Sequence, residues 1–180
     1  MKPLFKLVFQ AIVWLAHRGL GIEGVSLLLL VTPSSFVVPI LRRYGAVIGE
    51  GAEMLAPLII HNAEGGYHNL VVGNDCYFGR MILLDLKDRI VVGDRVTVSM
   101  RATLVTHIDV GASRVKKHLP TQQGPIEIGD DAYLGAGASV FHGVRIGPAA
   151  VVGAGSLVRH DVPSGCMVTG NPARETRRFE

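Results

Sequence analysis

Imidazole is the side chain whose proton exchange falls nearest neutral pH, so histidines set among other polar groups are the first place to look for chemistry. His107 closes the run Ala102-Thr103-Leu104-Val105-Thr106, and Asp109 follows two residues later. A polar stretch from Gly111 to Gln123 comes next and contains Lys116, Lys117 and His118. His142 stands apart, in a regular segment where an outward side chain is either solvated or faces a neighbouring subunit. An imidazole works as a general base when one ring nitrogen faces a hydroxyl and an acceptor holds the other; here a backbone carbonyl or Asp109 is the expected acceptor. Basic residues collect near the end of the chain, at Arg174, Arg177 and Arg178. That cluster suits an anionic small molecule.

Composition narrows the classes. With 180 residues the chain holds one domain with a substantial core. The formal charge of +3 comes without aromatics between the basic residues and without any zinc-finger or helix-turn-helix pattern. Nucleic acid is therefore not the expected partner. Cys76 and Cys166 lie far apart, outside any CxxC or Cys/His spacing, so neither a metal site nor a disulfide framework is expected. Free thiols fit a reducing compartment, the cytoplasm.

The amino-terminal segment has a different character. Lys2 and Lys6 precede the apolar run Leu7 to Ala16, the outline of a signal peptide, but His17-Arg18-Gly19 supplies no small-x-small cleavage site. A second uncharged run, Val25 to Leu41, is interrupted by Pro33 and Pro39 and followed by Arg42 and Arg43. Residues 1–43 therefore read in two ways. They are a helical cap over the end of the domain, or a membrane-associating segment on the inner face of a membrane with its basic residues toward the headgroups.

The elements that must position the polar groups are set by a period of six. Aliphatic residues recur at Ile128, Leu134, Val140, Ile146, Val152 and Val158, and small or β-branched ones four positions after each, at Ala132, Ala138, Val144, Ala150, Ser156 and Val162. Glycine follows directly in Ile128-Gly129, Leu134-Gly135, Ile146-Gly147 and Val152-Gly153. The frame also runs upstream through Val92, Val98 and Leu104, through Val72, Phe78 and Leu84, and through Ile48, Met54 and Ile60. Helices repeat near 3.6 residues and strands at 2, so neither accounts for six. A short strand plus a tight turn does, and three such units make one coil of a prism whose coils stack by parallel pairing.

The segment from Ile126 to Ala138, the run Val151-Val152-Gly153-Ala154-Gly155-Ser156-Leu157-Val158, Val162-Pro163 and Gly170-Asn171-Pro172-Ala173 resemble the hexapeptide-repeat acyltransferase family, over roughly residues 44 to 178. The resemblance implies an all-β fold, a single-stranded left-handed parallel β-helix working as a homotrimer, with an apolar, helical amino-terminal segment ahead of it. The left hand comes from the resemblance alone, because ordinary parallel crossovers are right-handed. The implied boundaries are 1–43 for the apolar segment, 44–165 for the β-helix with a loop insertion at 107–125, and 166–180 for a basic tail.

In sugar, maltose and xenobiotic acetyltransferases of that family, a histidine just after a unit like Ala102 to Thr106 is the general base, which is the place of His107. The same resemblance implies acetyl-CoA as acyl donor and no metal. Ala136 and Ala154 fall at pantetheine-lining positions, and Tyr133 stands where a tryptophan is common. Arg159, His160, Arg174 and Arg177 stand where relatives carry basic contacts to phosphates. On the acceptor side Asp85 resembles an acidic residue near the acceptor, Asp109 neighbours the base, and His118 lies where it reaches a neighbouring subunit's site. An asparagine of the galactoside enzymes is replaced near Gly79 or Arg80, and the stretch from Pro39 to Ala46 looks more like surface-polysaccharide acetyltransferases, whose acceptors are small or lipid-linked saccharides.

The frame breaks three times. Ile60 to Val72 spans twelve residues with a poor middle unit, His61 to Asn69; Leu84 to Val92 spans eight; and Leu104 to Ile128 spans twenty-four. Chain that leaves the prism is where function enters. Three other readings stay open: a non-catalytic trimeric scaffold, a γ-class carbonic anhydrase using His107, His118 and His142, and serine acetyltransferase, whose large helical domain forty apolar residues do not supply.

Overall fold

The computed structural model describes residues 3–179; Lys2, one of the two lysines ahead of the first apolar run, lies outside the described residues. The chain forms the parallel β-helix expected from its period of six. Its first face stacks Val47–Ile48, Leu70–Val72, Ile90–Val92, Ile126–Ile128 and Arg145–Ile146. The second stacks Glu53–Met54, Tyr77–Phe78, Thr97–Val98, Tyr133–Leu134, Val151–Val152 and Cys166–Thr169, and the third Leu58–His61, Ile82–Asp85, Thr103–Leu104, Ser139–Val140 and Leu157–Val158. Single strands this short are weak, and the stack makes them cooperative.

Register aligns the aliphatic positions into inward columns. Ile48, Val72, Val92, Ile128 and Ile146 face one another in consecutive coils and are all buried. Ala132, Ala138, Ala150 and Ser156 fill the corners and are buried too. Each large aliphatic side chain so enclosed contributes about 1.5–3 kcal/mol.

The glycine after the aliphatic residue answers to contact between coils. A Cβ on Gly135 would lie 2.5 Å from the backbone nitrogen of Ala154 in the next coil. The left-handed backbone falls two residues later, at Asp131, Gly137, Gly143, Ala149 and Gly155, so the turn itself tolerates residues other than glycine.

The amino-terminal segment divides in two. Helix α1 runs Pro3–Leu28 but is broken at Gly21 (φ 62°, ψ −149°). A single 3₁₀ turn, Ser34–Phe36, leads into helix α2, Val37–Arg43. Pro39 falls in the first turn of α2, where its missing N–H removes no helical bond. Val25, Leu29, Val37 and Leu41 are fully buried, and the Leu29 carbonyl accepts from the Leu58 N–H at 3.3 Å. This half is the cap. Leu7, Val8, Ile12, Trp14, Leu15 and Leu20, in the other half, are exposed.

At the break from Ile60 to Val72 the chain leaves the prism: Leu58–His61 passes to Leu70–Val72 with no strand between them, so the extra residues form a loop. The boundary at 165 is too early. Cys166–Thr169 continues the second face, and Arg174–Arg178 folds back antiparallel against it, so the basic residues belong to a strand instead of a loose tail.

Candidate functional site

All three lengthened steps fall at one corner, where the third face passes to the first. Ile60, Leu84 and Leu104 are successive residues of one inward column, and the chain leaves the prism shortly after each. The longest departure is an arm. His107–Ile108 pairs antiparallel with Gln122–Gln123, and a 3₁₀ turn, Arg114–Lys117, lies near its tip.

Asp85 and His107 meet at this corner. Asp85 Oδ2 is 2.6 Å from His107 Nδ1 and also accepts from the backbone N–H groups of Thr106, at 2.9 Å, and His107, at 3.2 Å. Asn62 Nδ2 donates to the other oxygen at 2.7 Å. The buried Thr106 hydroxyl lies 2.8 Å from the Asp85 carbonyl oxygen and 3.1 Å from Oδ2, and accepts from the Asp88 N–H at 3.0 Å. Burial works to raise the Asp85 pKa, but the hydrogen bonds from Asn62, His107 and Thr106 and the charge on His107 prevail, holding the carboxyl below its ordinary value.

In the neutral ring, an ionised carboxylate at Nδ1 sets the proton there and leaves Nε2 with its lone pair. Nε2 has no hydrogen-bond partner among the described residues. The His107 side chain is 25% exposed and that of Asp85 4%, so the imidazole reaches solvent while the carboxylate does not.

This geometry corrects one assignment. Asp85 turns its oxygens inward to Asn62, Thr106 and His107, which places it to hold the imidazole. Asp109 is not the orienter. It is exposed, accepts from the Gly111 N–H at 2.8 Å and pairs with Lys116 at 3.5 Å, which shapes the arm. His118 is exposed at the end of the 3₁₀ turn and takes no part in holding His107.

Two grooves adjoin the arm and the last coils. One of about 430 Å³ is lined by Ile108, Leu119, Gln122, Phe141, His142, Leu157 and Arg159. The other, about 240 Å³, brings Arg159 together with His160 and Arg174. Arg159 borders both, so an elongated anion laid from one to the other would end among cations. Ala136 and Ala154 are exposed and adjacent at the corner between second and third faces, where the Gly155 N–H donates to the Ala136 carbonyl at 2.9 Å. Tyr133 lies outward on the second face, its hydroxyl 3.1 Å from Ser99 Oγ. Arg177 lies on the edge strand that pairs beside Cys166–Thr169 at the end of that face, its guanidinium 5.4 Å from the Phe179 ring. Within one chain, Tyr133 and Arg177 thus stand apart from the grooves that Arg159, His160 and Arg174 line. Among the described residues no three His, Cys, Asp or Glu side chains gather as a metal-holding group.

Asn62 and Thr106 escaped the sequence reading. Their signal was available in the count: with three units per coil, the breaks after Ile60, Leu84 and Leu104 return to the same corner, so polar residues just beyond them become neighbours.

The repeat, the prism and the interrupted corner define a hexapeptide-repeat left-handed parallel β-helix. Residues 125–160 match the family model described as bacterial transferase hexapeptide (six repeats), so the resemblance read from the sequence holds. A hexapeptide-repeat acetyltransferase from Vibrio cholerae shares the fold over 95% of this chain and 92% of its own, with a TM-score of 0.76 and 24% identity. A galactoside acetyltransferase in complex with coenzyme A does so over 99% and 82%, with a TM-score of 0.71 and 21% identity. Among curated proteins, a probable serine acetyltransferase of Oryza sativa subsp. japonica is 37% identical over 98 residues, 53% of this chain and 30% of its own length. A tetrahydropyridine-dicarboxylate N-acetyltransferase of Staphylococcus aureus is 38% identical over 68 residues, 38% of this chain and 28% of its own. The chain thus spans under a third of the length of these curated relatives.

Proposed function

We propose that the chain is an acetyl-CoA-dependent O-acetyltransferase, acting in the cytoplasm as a homotrimer on a hydroxyl of a saccharide, with His107 as general base. The observation that carries this reading is the buried Asp85 carboxylate 2.6 Å from His107 Nδ1, with Nε2 left unengaged. His107 Nε2 takes the proton as the acceptor oxygen bonds to the thioester carbonyl carbon. Asp85 stabilises the imidazolium, which returns the proton to the sulfur when the carbon–sulfur bond breaks.

The cations at Arg159, His160 and Arg174 suit the phosphates of coenzyme A, and the small residues at Ala136 and Ala154 suit its narrow pantetheine arm. A trimer accounts for the divided set of sites, because Tyr133, Arg177 and His118 would then serve a groove completed by a neighbouring chain. Support for the reaction class comes from relatives and structural neighbours named as acetyltransferases, one of them bound to coenzyme A. The stretch matched to serine acetyltransferases favours a second acceptor, the hydroxyl of an amino acid, attacked by the same histidine.

Thiol release from acetyl-CoA, measured against sugars, nucleotide sugars, L-serine, amino alcohols and lipid-linked saccharides, tests both. Replacing His107→Ala is expected to lower the acceptor-dependent rate by about 10²- to 10⁴-fold and leave acetyl-CoA affinity unchanged. An unchanged rate with a responsive acceptor overturns the base, and absence of acetyl-CoA binding in calorimetry favours the non-catalytic scaffold.

A further inference from the structure

The face of α1 turned away from the protein is more apolar than a solvent-facing helix requires. Leu7, Val8, Ile12, Trp14 and Leu15 are all exposed, and at 100° per residue they fall within one broad arc. The opposite arc is occupied by the fold, with Val13 buried and the Phe9 ring 4.4 Å from that of Phe36. We infer that this outer face of α1 rests on an anionic lipid bilayer, lying along the surface without crossing it.

Three observations select that occupant. First, Lys2, Lys6 and Arg18 precede any Asp or Glu, the first of which is Glu23, so the segment is purely cationic. Anionic headgroups complement it, whereas a second copy of the helix would bring like charges together. Second, the Arg18 guanidinium lies 5.5 Å from the centre of the Trp14 ring at the edge of the apolar arc, which places an aromatic and a cation where headgroups meet acyl chains. Third, α1 is long and apolar enough to span by length and composition, but it is broken at Gly21 and packs along one side on Phe36. A lone spanning helix meets lipid on every side, and this one cannot without carrying the 3₁₀ turn at Phe36 into the hydrocarbon.

The inference is independent of acyl transfer. Below the break, Ser26 Oγ lies 3.1 Å from the hydroxyl of the fully buried Tyr67, in the same loop that supplies Asn62. Docking would therefore fix the protein through a segment tied to the interrupted corner.

Trp14 is the single tryptophan and reports directly. Vesicles of phosphatidylcholine and phosphatidylglycerol are expected to carry the full chain upward in flotation, to shift Trp14 emission to the blue and to protect it from acrylamide, with pure phosphatidylcholine doing much less. The double replacement Leu7→Glu with Leu15→Glu is expected to keep the wild-type melting temperature and to lower the bound fraction at least tenfold. Should that variant unfold, Arg18→Glu serves instead, with a smaller loss that raised salt reproduces in the wild type. Flotation equal in wild type and variant, or no flotation with either vesicle, overturns the inference. So does a Trp14 already shielded in vesicle-free protein and exposed on dilution, the result expected if another copy covers the face.

Discussion

Replacing Asp85→Asn changes one atom of a buried carboxylate and tests the architecture of the site. Oδ2 faces four donors, the N–H groups of Thr106 and His107, the Thr106 hydroxyl and the ring Nδ1, while Oδ1 faces Asn62. An amide NH₂ placed toward His107 meets donors with a donor; flipped, it meets Asn62 in the same way. One or two buried donors are stranded in either orientation, each costing about 1–3 kcal/mol, so the fold should lose about 2–4 kcal/mol. The effect on turnover should be larger in relative terms. With the NH₂ toward the ring the Nδ1–H tautomer is lost, in neither orientation does a charge balance the imidazolium, and a fall of about 10²- to 10⁴-fold is expected.

Two measurements separate these effects. The nitrogen chemical shifts of His107 should show Nδ1–H in the wild type and a mixture of tautomers in the variant, whatever the acceptor. The pH dependence of melting carries a sign. Because the folded Asp85 pKa is lowered, its contribution is complete above the unfolded value of about 3.9 and is lost as pH falls through the folded one. The wild type should therefore lose stability below about pH 4 more steeply than Asp85→Asn, which has no carboxyl to protonate. A variant that melts normally, keeps the wild-type tautomer and turns over within about threefold of wild type would refute the reasoning.

Replacing Asn62→Ala removes one hydrogen bond to the charged carboxylate, and a loss of about 1.5 kcal/mol corresponds to a kcat about tenfold lower with the KM for acetyl-CoA unchanged, read in steady-state kinetics. Gly135→Ala drives a Cβ to 2.5 Å from the Ala154 nitrogen, so its melting temperature should fall by about 3–10 °C. Gly137→Ala meets open space at φ +69° and should cost only about 1–2 kcal/mol, the smaller of the two shifts in the same melt.

The prism was readable because its determinants are local. A side chain at Leu134 or Val152 points inward whatever the rest of the chain does, and the interval of six repeats often enough to be counted. His107 was readable for a related reason, since the long departure from the frame begins there. The partner of His107 was harder to place, because Asp85 lies twenty-two residues earlier and becomes a neighbour only when the coils are stacked in register. Asp109 is nearer in sequence and was the natural choice, but the antiparallel arm carries it outward to Gly111 and Lys116. The amino-terminal segment was ambiguous in the sequence because both of its halves are apolar. Only packing distinguishes Val25 and Leu41, which close the prism, from Leu7 and Leu15, which face outward.

The burial pattern sets this corner apart from the rest of the prism among the described residues. A regular coil offers inward positions too apolar for a charge and outward ones too wet to perturb it. Asp85 is the only buried carboxylate among the described residues, and such burial is unfavourable unless hydrogen bonds compensate it. Strand alternation after Leu84 turns Asp85 out of the aliphatic column, while backbone N–H groups from the next coil and Asn62 from the previous one supply the compensation. A fold that needed only stability would be served equally well there by an aliphatic side chain. What the charge does here is hold the imidazole it faces, whose side chain is 25% exposed beside the arm.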